Sequence, residues 1–347
     1  MAKRDSKRTE YINKLKHLEL NIGSLKRDLR KVEAGINDLD KKLSGMPGRI
    51  LRIRKMNFKV LAYLEGDHTS LYERWKELRP ELRDRVNRRT EDLLWDLKDI
   101  ERKLSQRRRE AVFDVVRLIG IESRLISLSS KLSRLKGDVS DNLREFRSNL
   151  ESLERDLKIA ESTVNITLDA SFQWKKEESP IYAAKAKDLE NEMEGIVTLT
   201  NRRFLFESEK NVVLKKMLFI ATEKKKVRKL VVDQPIGIID NIQKGRVGFW
   251  AGHGVFINFK SGSTLREMKI DVKGYEADQI LRFYHFIVSG EAERELSSIK
   301  EVEGFKEENE LGTLVCEICG APHTDEIYMG QTSIKCKYCG SMIIIPL

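Results

Sequence analysis

The sequence is poor in cysteine, proline and aromatic residues, and these shortages exclude several classes of protein. Only four cysteines occur in 347 residues, all within the last 32, so most of the chain cannot be a disulfide framework. Six prolines and 7% aromatic residues leave little material for one large globular core. No apolar run approaches the roughly 18 residues of a membrane-spanning helix, and the opening MAKRDSKRTE has no apolar signal-peptide core. We therefore expect a cytoplasmic protein.

The sequence also lacks a recognisable catalytic pattern. Its five histidines are far apart, and none lies in a nucleophile motif. Neither glycine-rich phosphate-binding pattern, G-x-x-x-x-G-K-[ST] or G-x-G-x-x-G, is present. We therefore predict that the protein is not an enzyme.

The net charge of +10 comes entirely from the first sixty residues, which hold seventeen basic and seven acidic side chains. The stretch from Lys41 to Lys59 contains no acidic residue at all. Such a block can meet a phosphate-bearing surface, either nucleic acid or an anionic membrane. The alternative is a solvated stretch next to a helix turn. The candidate contacts in this block are Arg52, Arg54, Lys55 and Lys59.

Apolar residues recur at alternating steps of four and three from Tyr11 to Met46, which is the spacing of a heptad seam. Further helical periodicity follows from Leu71 to Val164. Together these predict an α-helical coiled coil over residues 1–178, with breaks near 45–48, 66–68 and 137, where glycine or proline interrupts the pattern. The seam fits a homo-oligomer. It fits equally an antiparallel helical hairpin that reverses at 46–48 or at 137.

The periodicity changes after a predicted linker or helix over residues 179–194. Short runs rich in valine, isoleucine, threonine and phenylalanine follow, and an amphipathic helix from Ala277 to Val288 ends the region. Three segments resemble pleckstrin-homology-like (PH-like) domains of the GRAM or bacterial PH type: Gly195 to Phe206, Pro235 to Ile242 and Gly248 to Ile257.

This resemblance implies an antiparallel β barrel over residues 195–290, capped by one helix. The segment Val212 to Thr222 is longer and more basic than the family pattern needs. In members that bind lipid headgroups, basic residues in loops near the open end of the barrel contact phosphates, whereas other members use the fold for protein contacts. The matching candidates here are Arg202, Arg203, Lys224, Lys225, Lys226, Arg228 and Lys229.

The four cysteines form two C-x-x-C pairs, Cys316/Cys319 and Cys336/Cys339, with 16 residues between them. This spacing is typical of a zinc site, since each pair presents two thiolates on one tight turn. The pattern resembles the zinc ribbon, and we place such a unit at residues 313–347, after an acidic linker over 291–312. Because all four ligand positions are cysteine, one structural Zn²⁺ is expected.

The sequence thus predicts a multidomain α+β protein: a long coiled coil, a PH-like barrel and a small zinc ribbon. We interpret it as a non-enzymatic scaffold or adaptor that oligomerises or extends through its coil. Its PH-like domain and ribbon would engage protein partners or a membrane, at which the protein would be peripheral. One alternative is a nucleic-acid-binding protein that uses the basic N-terminal block. A second is a membrane-associated filament, based on the basic, amphipathic segment Arg49 to Leu64.

Overall fold

The computed structural model describes residues 2–110, 114–217, 220–247, 252–303, 316, 318–322 and 333–344. Two compact units are present: Met1–Pro47 with Glu65–Glu154, and Gly48–Leu64 with Arg155–Leu347. The helices are α1 (Ala2–Lys55), α2 (Tyr63–Arg109), α3 (Val116–Thr167), α4 (Gly274–Val288) and α5 (Glu291–Glu303). The strands are β1 (Pro180–Asp188), β2 (Met193–Thr200), β3 (Arg203–Met217), β4 (Ile220–Pro235), β5 (Ile239–Val247), β6 (Gly252–Phe259), β7 (Glu267–Asp271), β8 (Ser333–Lys335) and β9 (Met342–Ile344).

The first unit consists of three long helical segments that alternate in direction. Near the start of α1, the Tyr11 hydroxyl donates a hydrogen bond to the Arg107 carbonyl near the end of α2, at 2.9 Å. Helices α1 and α2 are therefore antiparallel. Ion pairs between the helices agree with this arrangement and make α3 parallel to α1; they include Lys14–Glu122, Lys26–Glu101 and Lys136–Asp28.

The predicted seam forms the interior of this unit. Every seam residue from Tyr11 to Met46 is at least nine-tenths buried within the single chain. Trp75 of α2 stacks on Phe146 of α3, with ring centroids 5.0 Å apart, and its indole N–H donates to Asp40 of α1 at 2.9 Å. This hydrogen bond lowers the pKa of Asp40. Among the described residues, the seam is therefore covered by helices of the same chain, which agrees with the antiparallel alternative.

The predicted helix breaks are wrong. Helix α1 continues through Pro47 to Lys55, α2 begins before Gly66, and α3 continues through Gly137. At Pro47 the reason is packing: Met46, Ile50 and Ile53 extend the seam and are buried. Their burial outweighs the roughly 3 kcal/mol that proline costs inside a helix.

The actual reversals are short and lie elsewhere. Between α1 and α2 the chain turns over residues 56–62, where Asn57 and Leu61 have φ values of 61° and 59°. This left-handed conformation is unusual for residues with a side chain. It is compensated by burial of Phe58, Val60 and Leu61. Before α3, the Asp114 carboxylate accepts a hydrogen bond from the Val116 N–H at 3.0 Å.

The second unit contains a seven-stranded antiparallel sheet in the order β4-β3-β2-β1-β7-β6-β5. Strand β1 occupies the stretch predicted as a linker or helix over 179–194, so that prediction is wrong. Its alanines favour a helix locally, but the segment from Pro180 to Ala184 is buried on both faces of the sheet. The acidic linker predicted over 291–312 likewise begins as helix α5.

The strand order, closed by helix α4, is compatible with the PH-like fold, but the sheet is not closed into the predicted barrel. Strands β4 and β5 are the two edges of the sheet. Between the two halves of the sheet, Lys187 and Asp188 of β1 pair with Asp271 and Ile270 of β7.

Helices α4 and α3 both contact strand β1 of this sheet. Tyr182 of β1 stacks on Phe283 of α4, with ring centroids 5.2 Å apart. The backbone N–H of the next residue, Ala183, donates to the Thr163 hydroxyl near the end of α3 at 3.3 Å. The end of α3 is therefore an integral part of the sheet unit, and the compact units do not follow the predicted limit at residue 178.

A polar network joins Tyr63 of α2 and Asp156 of α3 to helix α4. The Tyr63 hydroxyl donates to Asp156 of α3 at 2.8 Å, and the Arg282 guanidinium of α4 contacts both groups, at 2.7 Å and 3.2 Å respectively. Burial and the hydrogen bond to Asp156 raise the pKa of Tyr63, so its hydroxyl remains a donor.

Candidate metal centre and interaction surfaces

The two cysteine pairs adopt the same local structure. In the first knuckle the Cys316 N–H donates to the Ala321 carbonyl at 2.9 Å and the Gly320 N–H to the Cys316 carbonyl at 2.8 Å. The second knuckle repeats both bonds, from Cys336 to Ser341 at 2.8 Å and from Gly340 to Cys336 at 2.9 Å. The two glycines have φ values of 72° and 74°, which residues with a side chain rarely adopt. Glycine therefore closes each turn around its sulfurs.

The knuckles bring all four thiols together. The four Sγ atoms lie within 4.8 Å of one another. Both Cys316–Cys339 and Cys319–Cys336 are separated by 3.6 Å between sulfurs. A tetrahedral shell with bonds of roughly 2.3 Å would place its sulfurs roughly 3.8 Å apart. The donor set therefore fits one tetrahedrally coordinated metal ion, as predicted from the spacing.

A very small core supports the cluster. The hairpin of β8 and β9 pairs Ile334 with Ile343, and these two side chains are buried together with Cys316 and Cys336. Among the described residues of this segment these four form the buried cluster, and a metal ion held by the four thiols would add to its stability.

Ser341 favours ionisation of two of the thiols. Its hydroxyl lies 3.1 Å from the Cys316 sulfur and 2.8 Å from the Cys339 sulfur. Hydrogen bonding from Ser341 lowers the pKa of Cys316 to about 6 and also lowers the pKa of Cys339. Cys319 shifts the other way: a backbone hydrogen bond with Ala321 lowers its pKa, but its contact with the Cys339 thiol and burial raise the pKa to about 12.

The predicted N-terminal contacts divide into exposed and engaged side chains. Arg52 and Lys55 are exposed on the last turns of α1, while Lys59 is half-buried and engaged in an interaction. Arg54 has a structural role instead. Its guanidinium donates to the carbonyls of Phe58, Val60 and Leu61 at 2.8, 2.6 and 3.0 Å, and so holds the turn between α1 and α2.

The apolar side of Arg49 to Leu64 is not available to a membrane. Ile50, Ile53, Phe58 and Leu64 are among its buried residues. The amphipathic pattern of this segment therefore arises from packing of its apolar side within the protein. It gives no support to the alternative of a membrane-associated filament.

Of the two arginines predicted after the first hairpin, only Arg202 is exposed, and it contacts Glu177 at 3.4 Å. The structure gives Arg203 a different role from the predicted phosphate contact. Its side chain is only 4% exposed and forms two hydrogen bonds to Glu178, at 2.8 and 2.7 Å. A third bond reaches Asp233 at 2.8 Å. These contacts raise the pKa of Arg203, so the guanidinium is a fully ionised structural group.

The basic cluster after Thr222 lies on β4. Lys226 is exposed and contacts Glu209 of β3 at 2.6 Å, and Lys229 is exposed. Arg228 is half-buried and donates to the Ile166 carbonyl at 2.5 Å. The side chains of Lys224 and Lys225 lie outside the described part. Whether any of these residues contacts a phosphate stays a prediction.

Two exposed apolar side chains were not singled out by sequence reasoning. Ile318 and Tyr338, which precede the second cysteine of each knuckle, are 75% and 74% exposed. Both belong to turns whose cysteine sulfurs converge. The signal in the sequence was their shared position in C-x-x-C.

Among the described helices, none combines the length and the apolarity that a membrane crossing requires.

Comparisons with known proteins identify no family. No family model and no curated protein matches the chain. Among solved structures, the Vps36 N-terminal PH domain is 14% identical, covers 37% of this chain and 85% of its own, and gives a TM-score of 0.20. The DH/PH domains of PDZ-RhoGEF, solved in complex with RhoA activated by GTP-γ-S, are 13% identical, cover 83% and 96%, and give a TM-score of 0.26. Likenesses this low carry no argument about this chain.

Proposed function

We propose that the protein is a non-enzymatic adaptor that engages protein partners through a C-terminal zinc ribbon and a PH-like domain. The observation that carries this proposal is the convergence of four thiols on one point. Four thiolates complete the coordination of a tetrahedral metal, so no position remains for water or a substrate. A metal held in this way stabilises a module without taking part in chemistry.

Zn²⁺ is the metal that this donor set fits best. Four soft thiolates in tetrahedral arrangement select Zn²⁺ over the hard cations Mg²⁺ and Ca²⁺, which bind oxygen. The shell would be formed by Cys316, Cys319, Cys336 and Cys339. Zinc would fix the two knuckles relative to each other and thereby fix the positions of Ile318 and Tyr338.

The exposed pair is the part of the ribbon that we assign to partner binding. Aromatic and large aliphatic side chains in the centre of an interface commonly carry most of its binding energy. Tyr338 and Ile318 have this chemistry and are more than 70% exposed. Their burial against a partner would remove apolar surface from water and so favour binding. The protein is expected to be cytoplasmic and peripheral where it meets a membrane.

The test is a comparison of captured partners. The variant Ile318→Ser/Tyr338→Ser should keep one zinc per chain by elemental analysis but lose a protein that the unmodified chain captures. A matched control is Ile119→Ser/Ile126→Ser, which removes two apolar side chains that are 54% and 62% exposed on α3. The control should retain the partner. Identical captured sets for all three proteins would contradict the proposed role of the ribbon.

A further inference from the structure

The two knuckles of the metal centre share one backbone geometry but differ in the residue that follows each glycine. Gly320 is followed by Ala321, whereas Gly340 is followed by Ser341. The two hydrogen bonds that close each turn measure 2.8 and 2.9 Å in both knuckles, and the glycine φ values are 72° and 74°. Residues 321 and 341 therefore occupy equivalent places, and one of them carries a hydroxyl that the other lacks.

The hydroxyl of Ser341 contacts two of the four sulfurs. Its Oγ lies 2.8 Å from the Cys339 sulfur of the same knuckle and 3.1 Å from the Cys316 sulfur of the other knuckle. A serine hydroxyl carries one hydrogen and two acceptor lone pairs. A cysteine that coordinates a metal ion has lost its proton, so in the metal-loaded centre the hydroxyl is the donor. One side chain thus serves sulfurs of both knuckles.

Cys319 and Cys339 offer a matched comparison of a sulfur without and with this contact. Both residues are exposed, whereas the other two cysteines are buried. Each accepts a hydrogen bond from the backbone two residues further on, at Ala321 and Ser341 respectively. Among the described residues, a side-chain hydroxyl lies within hydrogen-bonding distance of Cys339 and none does so at Cys319. The hydroxyl is therefore the local difference between the two exposed ligands.

We propose that Ser341 stabilises the metal-bound thiolates and makes the centre asymmetric, so that Cys319 and not Cys339 is the sulfur that a soft electrophile modifies first. The inference deepens the proposed function, because it rests on the metal centre described there. A hydrogen bond to a charged sulfur is roughly twice as strong as one between neutral groups. It draws on the electron density of the Cys339 sulfur, whereas the lone pairs of Cys319 stay available for reaction.

Ionisation of the free thiols does not set this order. All four sulfurs are thiolates once they hold a metal ion, so their reactivity depends on access and on intrinsic nucleophilicity. In a reaction with an alkylating agent, a lone pair of the Cys319 sulfur forms an S–C bond, and the leaving group departs with the electrons of the bond that breaks. No oxidant or reductant is required.

The experiment compares the full-length parent with three variants. Ser341→Ala removes the hydroxyl, Ser341→Thr keeps it, and Ala321→Ser/Ser341→Ala moves it to the equivalent place in the first knuckle, where it should face Cys319. The zinc affinity of each protein is measured by competition with a chromophoric chelator. The zinc-loaded proteins are then treated with iodoacetamide, from which iodide leaves, and mass spectrometry follows the rates of modification at Cys319 and Cys339.

Ser341→Ala should bind zinc roughly 10- to 100-fold more weakly, which is the usual effect of removing a hydrogen-bond partner of a metal ligand. In the parent Cys319 should be alkylated before Cys339. This order should be lost in Ser341→Ala, kept in Ser341→Thr and reversed in the double variant, whose zinc affinity should recover. A purely structural role of Ser341 would not reverse the order.

Two kinds of failure can be told apart. Equal alkylation of Cys319 and Cys339 in the parent, or an unchanged order and zinc affinity in Ser341→Ala, would overturn the role of Ser341 and leave the metal centre standing. So would a loss in Ser341→Thr as large as that in Ser341→Ala, with no reversal in the double variant. Failure of the parent to bind one zinc per chain would overturn the metal centre itself, and this inference with it.

Discussion

Replacing Arg203 with leucine tests whether a buried ion pair holds the segment before the sheet in place. Arg203 and Glu178 are 4% and 0% exposed, and two hydrogen bonds join them. The guanidinium also donates to the Gln173 carbonyl at 2.9 Å and lies 5.5 Å from the Phe172 ring centroid. Residues 172–178 are therefore tied to β3 through a single cation.

The expected loss follows from the charge that remains. Arg203→Leu leaves Glu178 buried without its cation, which typically costs about 3–5 kcal/mol. The carboxylate accepts from the Lys175 N–H through one oxygen and from the Thr200 hydroxyl through the other. Glu178→Gln in the same chain removes the charge and keeps one of these two acceptors. The double variant should therefore recover at least half of the loss, because a neutral amide is far cheaper to bury than a lone carboxylate.

The pH dependence supplies the refuting measurement. Burial alone would raise the pKa of Glu178, but hydrogen bonds from Arg203, Lys175 and Thr200 lower it overall. In the parent this group therefore stabilises the fold above its unfolded pKa of about 4.3, and the contribution is lost as pH falls through the folded value. In Arg203→Leu burial dominates, the folded pKa rises, and stability should fall as pH rises through it.

Urea unfolding of the single and double variants between pH 4 and 7 would measure both effects. Parallel pH profiles for parent and Arg203→Leu, or a loss below about 1 kcal/mol, would refute the argument, since a loss this small is typical of an exposed pair.

Three further predictions address the metal and the helices. Cys316→Ser should abolish stoichiometric zinc by elemental analysis while leaving helical circular dichroism almost unchanged; full zinc content would contradict the four-thiolate shell. Gly137→Ala should stabilise the chain by about 0.5–1 kcal/mol in urea unfolding, because the added Cβ meets nothing within 4 Å. Gly195→Ala should destabilise the chain, because its Cβ would lie 2.1 Å from the Glu207 carbonyl oxygen. A change of the same sign in both variants would refute this reasoning. Met46→Asp should unfold the first unit, because it buries a charge in the seam. An unchanged thermal melting temperature would contradict this, since the seam would then tolerate a buried charge.

Sequence reasoning worked where the signal was periodic. Burial of the seam from Tyr11 to Met46 follows from the heptad spacing, because one face of each helix must be covered. The spacing did not reveal which helix covers it, since a second chain and the same chain offer the same apolar surface. The register of the charged pairs decided this, and pairs such as Lys26–Glu101 are 75 residues apart in sequence.

Sequence reasoning failed where tertiary packing opposed the local conformational preference of the residues. Pro47 and Gly137 predicted breaks, yet both lie inside helices because the apolar pattern continues on either side. The alanine-rich β1 reads locally as helix, and its burial and its pairing with β2 make it a strand. Local propensities of about 1 kcal/mol per residue do not decide such cases when whole side chains are buried.

The cysteine site and the basic candidate residues differ in how well the sequence alone predicts them. Cysteine spacing identifies a metal site because the ligands are local, chemically unambiguous and bound to short turns. A basic residue carries no such information, since a lysine or arginine in the sequence has the same formal charge whether it is exposed like Lys229 or buried like Arg203. What distinguishes them is the carboxylate brought within hydrogen-bonding distance by the fold. Charge in a sequence therefore indicates a surface only after internal partners have been identified, and in this chain those partners account for Arg54 and Arg203 but not for the exposed Lys229.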